Sequence, residues 1–163
     1  MSAAATTNAN QVYIGLGSNI DPEINLRAAV EALRQRVQMT ALSGAWRSPA
    51  VGAPGPDFLN AAAGLHTPFG AAALKAEVLA PIEDILGRVR TADPDAPRTI
   101  DLDILVFNNE VLDPAIWRHA HLALPLAELG LALTEPGRGR SLAEVAEQLA
   151  AEGAIQSQPG VLI

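Results

Sequence analysis

Two aspartates one residue apart, Asp101 and Asp103, lie in the run Arg98-Thr99-Ile100-Asp101-Leu102-Asp103-Ile104. On a strand, side chains alternate between faces, so the two acids share one face and Ile100, Leu102, Ile104 and Val106 share the other. Their spacing along the strand is roughly 6–7 Å. Carboxylates this close, in an apolar strand, repel each other and lose hydration unless a cation joins them or a pKa rises. Oxygen donors without His or Cys beside them suit magnesium better than zinc. Two solvent-facing acids at a sheet edge are the competing reading.

Arg88, Arg90 and Arg98 precede the acid pair within eleven residues. Guanidinium forks match phosphate oxygens. The same arginines could instead pair with Glu83, Asp84, Asp93 and Asp95. Beside two carboxylates the polyphosphate reading gains weight, because the acids hold Mg²⁺, Mg²⁺ bridges phosphates and arginines neutralise the remainder. Further upstream, Phe58 and Asn60 share a strand face. A ring beside an amide suits a flat polar heterocycle, which stacks on one and pairs its edge with the other. A core Phe and a turn Asn remain the alternative. No GxxxxGK[ST] loop and no HExxH is present, and Gly15 to Ile20 matches only the first half of GxGxxG.

Several elements must position these groups. Val12 to Leu16 reads as a buried strand ending in the turn Gly17-Ser18-Asn19. Asp21 as N-cap and Pro22 at the first position open a helix reaching about Arg36. A strand is expected between Met39 and Arg47, then a Pro/Gly loop over Ser48 to Pro56 and a strand over Phe58 to His66. A helix over Gly70 to Leu86 should kink or break at Pro81, with Gly87 as C-cap. A loop spans Arg88 to Arg98, a strand Thr99 to Phe107, and a short hairpin partner Glu110 to Leu112. Helices follow over Leu124 to Leu131 and Ser141 to Ala151, the second with a Ser141/Glu144 capping box. Strand, helix, strand, strand, helix, strand is the split pattern of an α+β, ferredoxin-like βαββαβ fold, with a mostly antiparallel sheet covered by helices on one face. Residues 1–10 read as a disordered tail, not a signal peptide, and 11–163 as a single domain. Gln156 to Ile163 is compatible with either order or looseness.

Bulk properties narrow the function classes. With 163 residues and 49% hydrophobic content, one packed domain is expected. The balance of 11 basic against 18 acidic residues, net −7, argues against nucleic acid or a membrane surface as partner. Lys75 is the one lysine, and the absence of cysteine removes disulfides and thiolate metal sites. A cytoplasmic location fits this composition.

Together the pieces resemble the 6-hydroxymethyl-7,8-dihydropterin pyrophosphokinase family. The resemblance rests on Gly17-Ser18-Asn19, Ser48-Pro49 through Gly52, Asp57-Phe58-Leu59-Asn60-Ala61, Gly87-Arg88-Val89-Arg90 and Pro97 to Ile104. It implies pyrophosphate transfer from ATP to the pterin hydroxymethyl group in folate biosynthesis, with AMP released. It further implies two magnesium ions on Asp101 and Asp103. ATP would be bound by Glu83, Arg88, Arg90, Arg98 and Ile104, and the pterin by Ser48, Val51, Gly52, Phe58 and Asn60. Arg88, Arg98 and His121 would serve catalysis. The chain departs from the family's pattern at His119 to Pro125, where a longer loop with basic residues and a second stacking aromatic is usual. Either His119 or His121 would stand for the family histidine, and Trp117 would stand in for the missing aromatic. The loop before Arg98 lacks the family's tryptophan and has Ala96 where Gly is usual. The alternative drawn from the short segment is a relative that binds ATP or pterin with weak or no catalysis. A regulatory or assembly module of the same fold, binding no nucleotide, is a third reading.

Overall fold

The computed structural model describes residues 9–52 and 54–162. β1 (Asn10–Ser18) is followed by α1 (Pro22–Arg36), β2 (Gln38–Leu42), β3 (Ala45–Ser48) and β4 (Phe58–Thr67). One helical segment then runs through α2 (Ala71–Leu74), a π-helical turn (Lys75–Leu79) and α3 (Ala80–Ile85). β5 (Asp101–Phe107), β6 (Glu110–Val111), a 3₁₀ turn (Pro114–Trp117), α4 (Ala120–Glu128), α5 (Leu142–Glu152) and β7 (Gln156–Gln158) complete the chain. The strands form one antiparallel sheet in the order β6-β5-β1-β4-β3-β7, with β2 also on β4. The α+β class and the ferredoxin-like order are those expected.

Helices cover both faces, not one. Val12, Ile14 and Leu16 of β1 pack with Leu59, Ala61, Ala63 and Leu65 of β4 against α1 and the α2–α3 segment. On the opposite face Tyr13, Ala62, Leu105 and Val106 meet α4 and α5 through Ala123, Leu126, Leu142 and Ala146. The physical cause is visible in β4: Ala61, Ala62 and Ala63 are consecutive and all buried, so neither parity of the strand faces water.

Val106 does not share a face with Ile100, Leu102 and Ile104 as strict alternation required. The register of β5 on β1 shifts between Tyr13 and Ile14, leaving Leu105 as the extra residue of a bulge. Beyond the bulge, Leu105 and Val106 both belong to the second core, while Leu102 stays in the first.

Other boundaries moved for local reasons. The strand expected between Met39 and Arg47 is two strands, broken at Ser43 and Gly44, where Ser43 Oγ accepts the Ala62 N–H at 2.8 Å. Pro81 causes no break, because the π turn immediately before it re-routes the backbone bonding. Asp21 precedes α1 in a left-handed conformation (φ 42°) without a side-chain cap. The α4 helix starts at Ala120, four residues before the expected start at Leu124, so the short segment from His119 to Pro125 is a helix start and not a loop. The Ser141/Glu144 capping box is present, with bonds of 2.8 and 3.1 Å. Of the expected tail 1–10, residues 1–8 lie outside the described residues, and Asn10 is the first residue of β1. The C-terminal stretch is ordered through β7, and Val161 is buried in the first core.

Candidate active site

The site occupies the end of the sheet face that α4 and α5 leave open. Gly17 of β1 lies between Asp101 of β5 and Asn60 of β4, and Gly15 lies between Asp103 and Ala62. Cross-strand partners share a face, so two glycines at a spacing of two form a floor without side chains between the acid pair and Asn60. A Cβ on Gly17 would stand 3.5 Å from Asn60 Oδ1 and 3.7 Å from the Phe58 ring, inside this space. Gly15-x-Gly17 was legible in the sequence as a period-two signal on a strand. Read against a dinucleotide fingerprint, it carried no weight.

The resulting cavity of about 330 Å³ is lined from both ends. Asp101, Asp103 and Arg98 stand at one end and Ser48, Phe58 and Asn60 at the other. Val51, His119 and His121 border it as well, together with Asp95 and Asp113, which sequence reasoning missed as site residues. Its volume falls within the range of small-molecule sites. Trp117 instead packs against the second core, so it is not a stacking ring for this cavity.

The acid end is a charge lattice. Arg88 Nη1 donates to Asp101 at 2.8 Å and Arg98 Nη1 donates to its other oxygen at 3.0 Å. Lys75 Nζ lies 3.3 Å from Asp103. Behind them Glu83, fully buried, accepts from Arg88 at 2.5 Å, Arg90 at 2.6 Å and the Leu102 N–H at 2.9 Å. Glu83 therefore sets the arginines from behind and does not face the cavity. Local backbone geometry makes this meeting possible. Gly87 (φ 82°) ends α3 in a Schellman cap, with Gly87 N–H on Asp84 C=O and Arg88 N–H on Glu83 C=O, both at 3.0 Å. That cap delivers Arg88 beside Glu83. Arg98 is placed by Asn19, whose Oδ1 accepts the Arg98 N–H at 2.8 Å while Asn19 N–H donates to Arg98 C=O at 3.2 Å.

Protonation follows from these contacts. Burial pushes the Asp103 carboxyl up, the Asp101 charge adds to this, and Lys75 opposes it. For Arg88 burial alone would lower the pKa, but Asp101 and Glu83 outweigh it and the net movement is upward. The Asp103 side chain is half-exposed and has Lys75 as its partner. Among the described residues no three His, Cys, Asp or Glu side chains converge as a metal cage. Hard oxygen donors in a pair nonetheless suit Mg²⁺, which commonly binds one or two carboxylates and takes its other ligands from substrate phosphates and water.

At the opposite end Asn60, 4% exposed, donates its amide N–H groups to Ser48 Oγ at 2.8 Å and Trp46 C=O at 3.1 Å. Its orientation is thereby set, and Oδ1 is turned toward Gly17 and the cavity floor. Gly52 (φ 95°) sits on the Pro/Gly loop, where an added Cβ would fall 2.6 Å from Asp95 Oδ1. Only glycine lets these two loops approach this closely. His119 is the N-cap of α4, and its ring centroid lies 5.3 Å from that of His121. Burial, then the neighbouring His119, lowers the His121 pKa to about 4 against an opposing pull from Asp113. His121 therefore meets the cavity as a neutral imidazole at pH 7. Arg90 is half-exposed on Glu83, while Ile104 lies next to Asp103 and packs on the first core.

Comparison with known proteins gives one consistent result. Residues 13–131 match the family model described as 7,8-dihydro-6-hydroxymethylpterin-pyrophosphokinase. The chain is 35% identical over 162 residues to a 2-amino-4-hydroxy-6-hydroxymethyldihydropteridine pyrophosphokinase of Pseudomonas aeruginosa, covering 92% of this chain and 98% of the relative. It is 30% identical over 159 residues to the protein of the same name in Synechocystis, covering 91% and 80%. A Pseudomonas putida protein of that name is 41% identical over 106 residues, covering 63% and 87%. The chain belongs to the 7,8-dihydro-6-hydroxymethylpterin-pyrophosphokinase family.

Proposed function

We propose that this family member transfers the β,γ-diphosphate of ATP to the hydroxymethyl oxygen of 6-hydroxymethyl-7,8-dihydropterin, in folate biosynthesis and in the cytoplasm. The observation that carries this reading is one cavity with a carboxylate pair and Arg98 at one end and an oriented amide and ring at the other, with Arg88 bonded to Asp101 beside it. Asn60 Oδ1 accepts an N–H from the pterin edge, and Phe58 lies against its face. Ser48 holds Asn60 in place, and the backbone near Val51 and Gly52 closes the same end.

The triphosphate lies along the acid end. Asp101 and Asp103 would hold magnesium, which would supply Lewis-acid charge to the phosphate undergoing attack. Arg98 and Arg88, held by Asn19 and Glu83, present guanidinium forks to phosphate oxygens. Arg90 extends this positive edge, and Ile104 offers an apolar neighbour to the nucleoside. The hydroxymethyl oxygen forms a bond to the β-phosphorus, the bond from that phosphorus to the α,β-bridging oxygen breaks, AMP leaves with the electron pair, and the hydroxyl proton is released. Positioning and fixed charge supply the acceleration. His121, uncharged at neutral pH, can hydrogen-bond a phosphate or hydroxyl without adding charge.

A binding-only relative was the alternative drawn from the short 119–125 segment. That segment begins α4 and brings both histidines to the cavity, and the relatives named above carry pyrophosphokinase names. Nothing favours the alternative. The test is AMP release from ATP with Mg²⁺, with and without the hydroxymethyl-dihydropterin. Pterin-dependent AMP is expected. Tight binding of both ligands without AMP would refute the transfer reading.

A further inference from the structure

The α2–α3 segment serves the open edge of β5 as a neighbouring strand would. β6 pairs only with Val106 and Phe107, so among the described residues the outer edge of β5 around Leu102 has no strand beside it. Both outward-facing groups of Leu102 are satisfied by side chains of this one helical segment. Its N–H donates to Glu83 at 2.9 Å and its C=O accepts from Lys75 Nζ at 2.7 Å. Lys75 and Glu83 are eight residues apart, which in a regular α-helix leaves them about 80° out of line. The π turn at Lys75–Leu79 takes up the surplus rotation, so both reach the same residue of β5. The chain's one lysine is thereby placed at the margin of the active site, 3.3 Å from Asp103 and 41% exposed.

We propose that Lys75 is a further ATP-binding residue, a phosphate-positioning cation that the π turn delivers to the Asp103 side of the site. This rests on the magnesium–ATP reading above. Asp101 already has two arginines, whereas Asp103 has Lys75 as its one ion-pair partner among the described residues. An ammonium has three donors. One is committed to Leu102 C=O and holds the group in place. The others lie toward Asp103 and turn to phosphate oxygen when a divalent ion takes that carboxylate. Without nucleotide, Lys75 competes with the metal for Asp103. With nucleotide, it stabilises the loaded site. The two effects have opposite signs, which a purely structural edge cap does not produce.

The experiment measures two dissociation constants on the full-length protein. One is for a non-hydrolysable ATP analogue with Mg²⁺, by calorimetry. The other is for Mn²⁺ alone, by electron paramagnetic resonance. The variants are Lys75→Met, Lys75→Gln, which keeps a donor for Leu102 C=O, and Lys75→Arg. For Lys75→Gln the analogue should bind about tenfold more weakly while Mn²⁺ alone binds as tightly or more tightly. Pterin affinity should stay within about twofold, and Lys75→Arg should recover most of the analogue affinity. If Lys75→Met fails to fold, Lys75→Gln still gives the reading. Unchanged analogue affinity in Lys75→Gln would overturn the proposal and leave an edge cap only. Failure of the wild-type protein to bind the Mg²⁺ analogue would overturn both this inference and the function on which it rests.

Discussion

Asp101 and Asp103 stand on the first half of β5, and the charges around Asp101 are fixed in place: Arg88 by the Schellman cap at Gly87, Arg98 by Asn19, and Glu83 by its bond from the Leu102 N–H. Ser48, Val51 and Phe58 at the other end stand on or beside a long loop, and there a single residue, Asn60, is locked by two hydrogen bonds. The acid end is therefore preorganised by an ion-pair network, the Asn60 end by one amide and by glycines that leave room. Mutations at the first end should disturb charge, catalysis and stability together. Mutations at the second should separate one ligand from the other.

The largest effect is expected for Asp103→Ala. If Asp103 holds magnesium as proposed, its removal should lower pterin-dependent AMP formation by about a thousandfold or more while circular dichroism stays native. Near-wild-type turnover would break the comparison at its root. Glu83→Ala should follow. It strands two arginines and the Leu102 N–H and should reduce unfolding free energy by about 3–5 kcal/mol, read from the urea midpoint. A small loss would mean that the network is not what holds this end. Asn60→Ala should weaken pterin binding by about ten- to a hundredfold and leave ATP affinity within about twofold. Equal losses for both ligands would erase the distinction between the ends.

The smallest effect concerns acid. His121 titrates at about 4 in the folded protein and near 6.5 when exposed, so the unfolded chain binds more protons between those values. Stability is then fully present above about pH 6.5 and falls as pH drops toward 4, by about 1–3 kcal/mol. His121→Gln should flatten the pH dependence of the melting temperature across that window, and an unaltered profile would show that His121 is not buried uncharged. The groups that face His121, namely His119 and Asp113, stay in place in this variant.

Much of this was legible from residue order, for reasons that differ by element. Asp101 and Asp103 were readable because strand alternation is local, and the capping box at Ser141 because it spans four residues. The split of the second strand at Ser43 was not readable, because it depends on a hydrogen bond to Ala62 on another strand. The β5 bulge was likewise hidden. It arises from the pairing with β1, and nothing in Ile104-Leu105-Val106 announces which apolar residue is supernumerary. Glu83 was placed beside the nucleotide site, but its role behind the arginines depends on the cap and on β5 together. Lys75 drew no attention as a single cation in a helix, since the π turn that aims it has no sequence marker of its own.

The two-way bond between Asn19 and Arg98 joins residues 79 apart in the chain. Arg98 cannot take its position until β1, made first, has waited for the segment that leads into β5, and the acid pair itself lies on that later strand. Contacts so distant in sequence form late and make folding slow, on the scale of about milliseconds to seconds. During synthesis, at about 5–20 residues per second, the nascent chain therefore spends seconds with its first strand complete and the acid end of its cavity still unbuilt. The acid end of the cavity is in this sense a clock for the chain: it is complete only after the segment through β5 has left the ribosome and docked.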